Sequence, residues 1–142
     1  MLGEIGVIRF SDADLSDWLD QGQREVAALT LCYQRRVTFA NTDPTRVLMA
    51  GVREYAIAGG VGEAGLGITD NIRILHVYLS SQSMPLWSPE MVNQTDARSA
   101  GGSTPRYYYQ FAGQFGVVPY PSSTFVTSTW TLEVLYAAYP VE

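Results

Sequence analysis

Cysteine, histidine and lysine are almost missing from this sequence of 142 residues. Cys32 is the single cysteine, so one chain can form neither a disulfide framework nor a cysteine-based metal site. His76 is the single histidine, and no serine or cysteine lies near it in a motif that would pair a nucleophile with a base. All nine cations are arginines, which suit bidentate ion pairs at interfaces, although a biased genome composition would also remove lysine. The sequence therefore predicts no enzyme, no metal site and no cofactor.

Long apolar runs and basic patches are missing as well. No stretch approaches the length of a membrane span, and the first nine residues contain Glu4 and lack a basic segment. The formal net charge is −5, which argues against a protein that grips nucleic acid by its phosphates. We expect a soluble protein without a targeting signal.

Two patterns that can indicate chemistry have simpler interpretations here. Gly60, Gly62 and Gly65 fit the spacing G-x-G-x-x-G, but the residues that follow do not begin a helix, so we interpret residues 59–70 as a flexible hairpin loop. His76 lies between apolar residues of a predicted strand, which favours a buried core imidazole over a metal ligand or a base.

The most regular part of the chain is the C-terminal third. Residues 106–111, 115–118 and 125–139 are rich in β-forming residues and are separated by Gly-containing and Pro-containing turns, which predicts three strands in an antiparallel meander. In the last run every second residue is apolar and bulky, and this face is predicted to enter a core: Trp130, Leu132, Val134 and Tyr136.

Earlier segments also alternate with period two, at residues 33–40 and 72–79, and residues 46–58 predict one or two strands with a bulge or bend at Gly51. The sequence therefore predicts a mainly β protein with an N-terminal α-helix, of the α+β class. We expect an N-terminal arm and docking helix in residues 1–32, followed in residues 33–142 by an antiparallel β-sandwich-like domain with a long loop at 81–104.

One convincing helix is predicted over residues 11–30. Ser11 with Asp14 three residues later forms an N-cap pattern. Its apolar residues fall at helical spacing and form a stripe that we predict to be a subunit interface: Leu15, Trp18, Leu19, Val26 and Leu29. No second helix is clearly encoded to receive this stripe, so its partner lies on the sheet or in another chain.

The connection over residues 81–104 is too long and too rich in Ser, Gly and Pro for a simple link. It nevertheless carries four large apolar residues, Met84, Leu86, Trp87 and Met91. Soluble loops seldom leave that much apolar surface uncovered. We therefore expect these residues to contact a partner, and we expect the domain to fold without the loop.

The order of these elements resembles the head-to-tail adaptor proteins of tailed bacteriophages, also called connector or tubular-protein-A-like proteins. The resemblance covers most of the chain from Phe10 onward and is carried by the helix at 11–25 and by five segments: residues 48–57, 72–77, 105–109, 115–121 and 132–140. It implies a structural virion protein that is assembled in the host cytoplasm and forms a homo-oligomeric ring, of twelve copies in that family, beneath the portal at the head–tail junction. The implied partners are the portal protein and a tail or nozzle protein, with DNA only as passing cargo and no membrane.

The chain departs from the family pattern after its last strand. Family members usually continue into further helices and a tail that binds the portal, whereas this sequence ends at Glu142. No residue is therefore assigned to docking on the portal.

Two alternatives stay open from the sequence. A capsid, tail or baseplate protein at another position of the virion could share the sandwich. A carbohydrate-binding module would use exposed aromatic rings, with Trp87, Tyr107 to Tyr109 and Trp130 as candidates, but alternation along a strand lets only Tyr107 and Tyr109 share a face.

The acidic residues are concentrated near the N-terminus, where residues 1–25 contain six acids and two arginines. If this segment lined a channel, its charge would repel DNA and let it slide. A solvated helix face explains the same pattern and is slightly favoured.

Overall fold

A computed structural model of the protein describes residues 11–42, 48–61, 65–94 and 103–140. These residues form two antiparallel β-sheets that share one core and follow an N-terminal helix, so the predicted fold class is confirmed. The helices are α1 (Asp12–Thr30), α2 (Pro89–Gln94) and α3 (Ser123–Thr127). The strands are β1 (Gln34–Ala40), β2 (Glu54–Val61), β3 (Asn71–Leu79), β4 (Gln82–Met84), β5 (Tyr107–Phe111), β6 (Gln114–Val118) and β7 (Thr131–Ala138).

Helix α1 begins and ends where the sequence predicts. The Ser11 side chain accepts a hydrogen bond from the Asp14 backbone N–H at 3.1 Å, and the Asp14 carboxylate accepts one from the Ser11 N–H at 3.1 Å. The Ser11 hydroxyl also donates to the Asp14 carboxylate at 2.5 Å. This hydrogen bond, followed by the one from the Ser11 N–H, lowers the pKa of Asp14, because both stabilise the charged carboxylate. The helix ends at Leu31, whose N–H makes the last helical hydrogen bond, to the Ala27 carbonyl at 2.9 Å, and whose left-handed backbone (φ 52°) turns the following chain out of the helix.

The larger sheet has the strand order β1-β7-β3-β4. Strand β7 pairs with β1 on one side and with β3 on the other, in both cases antiparallel. Its predicted alternation is confirmed, since Leu132, Val134 and Tyr136 are buried while Thr131, Glu133 and Leu135 are only partly so. Trp130, immediately before the strand, is also buried and donates its indole N–H to the Val126 carbonyl at 3.2 Å.

The smaller sheet has the order β2-β6-β5. Strands β5 and β6 form a hairpin whose two-residue turn is Ala112-Gly113, both with positive φ (48° and 78°), as a type I′ turn requires. The predicted turn is thereby confirmed. Side chains of both sheets meet in one core, in which Trp130, Tyr55, Phe115 and Leu132 are among the largest fully buried residues.

The predicted meander is wrong in one respect. The segment expected as a third strand from residue 125 begins instead as helix α3, capped by Ser122, and β7 then pairs in the other sheet. Pro119, after a cis peptide bond, and Pro121 lie between β6 and α3, and proline cannot donate to a strand ladder. The chain therefore crosses from the smaller sheet to the larger one at this point.

Residues 59–70 are not simply a flexible loop. Strand β2 continues to Val61, and Leu66 and Ile68 are buried in the core. Their backbone N–H groups donate to Ala56 and Ile57 carbonyls at 2.9 and 2.8 Å. Residues 62–64, including Gly62, lie outside the described residues. The segment keeps its place because two apolar side chains among the glycines pack inward.

The strand expected over residues 46–58 is shorter at its start. Residues 43–47 lie outside the described part, and the chain from Leu48 to Arg53 makes a turn in which Gly51 has φ +75°, a conformation that suits glycine. Pairing begins only at Glu54, which lies opposite Gly116 of β6.

His76 is exposed, so its predicted burial in the core is wrong. Ile74 lies opposite Tyr136 and His76 opposite Leu135, which leaves Leu75 as an extra residue in β3. Such a β-bulge shifts the alternation by one residue. Val77 and Leu79 consequently point into the core, in place of the His76 and Tyr78 side chains.

Gly116 and Tyr109 lie opposite each other on β6 and β5, and a Cβ atom on Gly116 would overlap the Tyr109 ring. The ring is held in place because its hydroxyl donates to the Glu54 carboxylate at 2.6 Å. We expect Gly116→Ala to lower the free energy of unfolding by about 1–3 kcal/mol, the usual cost of overpacking. Urea unfolding measures this loss, and in a Tyr109→Ala background the same substitution should cost much less. Equal losses in both backgrounds would show that the ring is not the obstacle.

Tyr55 makes stability depend on alkaline pH. Its hydroxyl is buried, donates to the Val52 carbonyl at 2.8 Å and accepts from the Met49 N–H at 3.2 Å. Burial raises the pKa of Tyr55 from 10.0 to about 12, so the folded state holds this proton more tightly than the unfolded state. The free energy of unfolding should therefore be unaffected below pH 10 and should fall by about 2–3 kcal/mol as the pH rises towards 12.

Denaturant titrations at several values of pH measure this loss. The pKa values of Tyr108 and Tyr136 are also raised by burial, so they contribute to the same slope. Tyr55→Phe is the matched control and should reduce the slope. An unchanged slope in Tyr55→Phe would show that the other tyrosines account for it.

Candidate interaction surfaces

The apolar stripe of α1 lies on the surface of the protein. Its five residues, Leu15, Trp18, Leu19, Val26 and Leu29, have exposed fractions between 44% and 85%. At about 100° per residue they span an arc of about 100° around the helix, and Gly22 falls inside it. The five residues share one face of the helix, as their spacing predicts, and the sheets do not cover that face. Their role as a subunit interface stays a prediction.

The domain covers a different side of α1. Ala27 is the one buried residue of the helix, which contacts strand β7. Ala27 lies about 130° around the helix from the centre of the apolar arc. The helix therefore contacts its own domain through one narrow side and presents the stripe elsewhere.

A polar network fixes the base of α1 on the larger sheet. Three residues after the helix, the Tyr33 carbonyl accepts from the Ala138 N–H at 2.9 Å, and Arg35 forms an ion pair with Asp70 at 2.7 Å. The Tyr136 hydroxyl donates to the same carboxylate at 3.3 Å. Hydrogen bonding to Asp70 raises the pKa of Arg35, while burial followed by the Asp70 charge raises that of Tyr136. This arrangement sets the direction in which the helix leaves the sheet.

The four predicted contact residues of the long loop divide into two groups. Met84 belongs to β4 and is 5% exposed in the core, so the loop cannot be removed without loss to the domain. Leu86 and Met91 are exposed at 53% and 49%, and Trp87 is partly buried, its ring stacked on Tyr107 at 4.1 Å.

The first part of the loop runs along the edge of β5. The Tyr108 N–H donates to the Pro85 carbonyl at 3.1 Å, and the Trp87 N–H donates to the Tyr108 carbonyl at 2.7 Å. Helix α2 follows directly, with Pro89 at its first position, where proline is favoured because its missing N–H is not needed. These bonds hold Leu86 and Met91 in a defined place.

Between this loop and the ends of β3 and β5 lies a surface groove of about 730 Å³, which we call the β5 groove. Its lining includes Arg73, Leu86, Trp87, Met91 and Phe111. Phe111 is 62% exposed, and Arg73 is also exposed. Sequence reasoning missed Arg73 and Phe111. Each lies near the end of a strand, and nothing in the sequence shows that these two strand ends lie side by side in the fold.

The aromatic residues considered for sugar binding are used in packing. Trp130, Tyr108 and Tyr109 are at most 4% exposed. Trp87 and Tyr107 stack on each other, so one face of each ring is already covered and the two rings do not form an open pair for a sugar. The geometry does not favour the carbohydrate-binding alternative.

No group of three or more histidine, cysteine, aspartate or glutamate side chains that could hold a metal occurs in the described ranges. Among the helices described, none has the length and apolar character needed to cross a bilayer. Cys32 is exposed and is not in a disulfide.

Comparison with known families gives one match over nearly the whole chain. The family model described as SU10 adaptor protein matches residues 2–142. The chain belongs to this family. The SU10 adaptor family consists of phage adaptor proteins, so the chain is a structural component of a virion that interacts with other head and tail proteins. This confirms the resemblance to phage head-to-tail adaptors, and no curated protein matches the chain.

The division of the loop can be tested by stability. Leu86→Ser and Met91→Ser remove exposed apolar groups and should change the free energy of unfolding by no more than about 0.5 kcal/mol each. Met84 is also an apolar side chain but lies in the core, so Met84→Ala should lower the free energy of unfolding by about 2–5 kcal/mol. Urea unfolding of the three variants measures the difference. A large loss in either serine variant would place its side chain in the core of the SU10 adaptor.

Proposed function

We propose that this SU10 adaptor forms a ring beneath the portal, at the head–tail junction, and joins the capsid to the tail. The observation that carries the proposal is the apolar stripe of α1, which is exposed and turned away from the chain's own sheets. The number of copies, twelve, is taken from the resemblance to head-to-tail adaptors.

A helix of this length is marginal in water unless an apolar face is buried. α1 has 19 residues, and the domain buries only Ala27. A repeated contact between α1 and the next copy would bury the stripe in every subunit. A contact that uses two different surfaces of the same chain generates a ring when its rotation closes.

The exposed residues of the long loop supply a second contact surface. Leu86 and Met91, held beside Trp87 on the edge of β5, are proposed to contact a neighbouring protein of the junction. The portal protein on one side and a tail or nozzle protein on the other are the proposed partners of the ring.

DNA is proposed to pass through the ring as cargo without being bound. Residues 11–30 contain five acids and one arginine, and nearly all their side chains are exposed. Such a surface repels DNA whether it faces the channel or the solvent. No residue is assigned to DNA binding.

Truncation of one stripe residue tests the ring. Trp18→Ala should weaken self-association by about 3–5 kcal/mol, the typical cost of removing a buried Trp side chain. The stability of the β domain should not change, because its core lies around Trp130 and Leu132. Light scattering after size-exclusion chromatography, alone and with the portal protein, measures the assembly, and cryo-EM class averages count the subunits.

The matched control is Arg24→Ala. Arg24 lies on α1 about 170° from the centre of the stripe, so its removal should leave ring formation intact. Rings from Trp18→Ala at wild-type concentration, or a Trp18→Ala domain that melts as a whole, would contradict the proposed interface. Assembly on a capsid, tail or baseplate protein in place of the portal would support a different position in the virion.

A further inference from the structure

We propose that the β5 groove is the receptor for helix α1 of the neighbouring copy. The inference depends on the proposed ring and adds to it both halves of the subunit contact. One half is the apolar stripe of α1, and the other is the groove lined by Arg73, Leu86, Trp87, Met91 and Phe111.

The two surfaces match in apolar character. Leu86, Met91 and Phe111 are each about half exposed or more, at 53%, 49% and 62%, and all three line the same groove. Contiguous exposed apolar residues with a polar rim are typical of an interaction site. An amphipathic helix laid into an apolar groove is a common mode of recognition, with anchors at the spacing that the stripe shows.

The shapes also complement each other at Gly22. This residue lies inside the apolar arc, and a Cβ placed on it would meet no atom within 4 Å. A glycine at that position leaves a gap between the large residues of the stripe, into which a protruding side chain fits. Phe111, the most exposed of the large apolar residues in the groove, is suited to fill it.

The charges of the two surfaces are opposite. Arg73 lies on the groove wall, is exposed and forms no ion pair with any residue that the structure describes. On α1, Asp14 and Glu25 border the stripe on one side, within about 40° of its edge. Ion pairs at the rim of an interface steer association and fix the register of the partners.

The positions of the two surfaces in the fold suit a contact between copies. Gln34, near the base of α1, and Arg73 both lie opposite Ala137 of β7, so the helix base and the groove are at the same end of the sandwich. They are two strands apart, about 10 Å. Within one chain the domain contacts α1 through its Ala27 side, and the stripe is directed away. A stripe and a groove at one end of each subunit let the same contact repeat around a ring.

Mixed single-cysteine variants test the contact directly. Cys32→Ser removes the native thiol. In this background one protein carries Leu19→Cys and a second protein carries Phe111→Cys. The two are mixed under assembly conditions and treated with a short bis-maleimide cross-linker. Because each chain has one thiol, every cross-link is between chains. We expect the mixture to give at least about tenfold more dimer than either variant alone.

Thr124→Cys in the same background is the matched control for Phe111→Cys. Thr124 is exposed on α3, at the opposite end of the sandwich, where Thr131 of β7 pairs with Ala40. Its mixture with Leu19→Cys should give only the background amount of dimer. Equal amounts with Thr124→Cys and Phe111→Cys would overturn the assignment.

Other occupants give different cross-links. If Leu19→Cys mainly forms dimers with itself, helices pack on helices. If Phe111→Cys is cross-linked to Leu2→Cys and not to Leu19→Cys, the groove binds the N-terminal arm. Rings without any cross-link at Phe111→Cys would assign the groove to another protein. Each of these results overturns the inference but leaves the ring intact, whereas wild-type protein that forms no ring with or without the portal overturns the proposed function itself.

A charge exchange provides an independent measurement. Arg73→Glu places a carboxylate opposite the acidic border of the stripe and should raise the protein concentration required for assembly by about tenfold. Glu25→Arg in the same chain should restore assembly towards that of the wild type. Failure of Arg73→Glu to change assembly, or of Glu25→Arg to restore it, would contradict the proposed register.

Discussion

Burial of strand β7 between β1 and β3 is the constraint on which the rest of the structure depends. Its inner face, with Leu132 and Val134, meets side chains of the smaller sheet, and its two edges hold the neighbouring strands in register. Because β1 follows α1 after a short connection, the pairing of β1 with β7 also fixes the position of the C-terminal end of the helix. The Asp70 carboxylate, bonded to Arg35 of β1 and to Tyr136 of β7, ties the start of β1 to the rest of the sheet. The core and the candidate interface are thus joined by one strand.

Elements with local signals could be predicted from the sequence. The cap formed by Ser11 and Asp14, the helical spacing that follows and the alternation after Trp130 each depend on residues within one segment. The errors have physical reasons as well. Alternation shows which face of β7 is buried but not which strands it pairs with, and one extra residue at Leu75 reverses the faces of β3, a change that composition does not reveal.

The candidate site was predicted only in part for a related reason. The stripe of α1 lies in one helix, so its spacing was visible in the sequence. The β5 groove combines Arg73, the loop around Leu86 and the strand end at Phe111, which are brought together only by pairing between distant segments. Met84 illustrates the opposite error, since its apolar side chain in an irregular stretch suggested a partner but belongs to the core. The amino-acid composition of a loop does not show which of its side chains point into the core and which point into solvent.

The separation of core from stripe has a consequence for assembly. If the proposed ring is correct, a residue that packs only in the core affects the stability of the domain, whereas a stripe residue affects the contact between subunits. Since an isolated helix of 19 residues is marginal, the order of α1 itself depends on whether its stripe is covered. Covering the stripe would then stabilise the helix and strengthen the contact together, because each requires the other. Under the proposed assembly, subunits with a stable sandwich and a conditionally stable helix would remain apart at low concentration and would associate cooperatively where another virion protein gathers them.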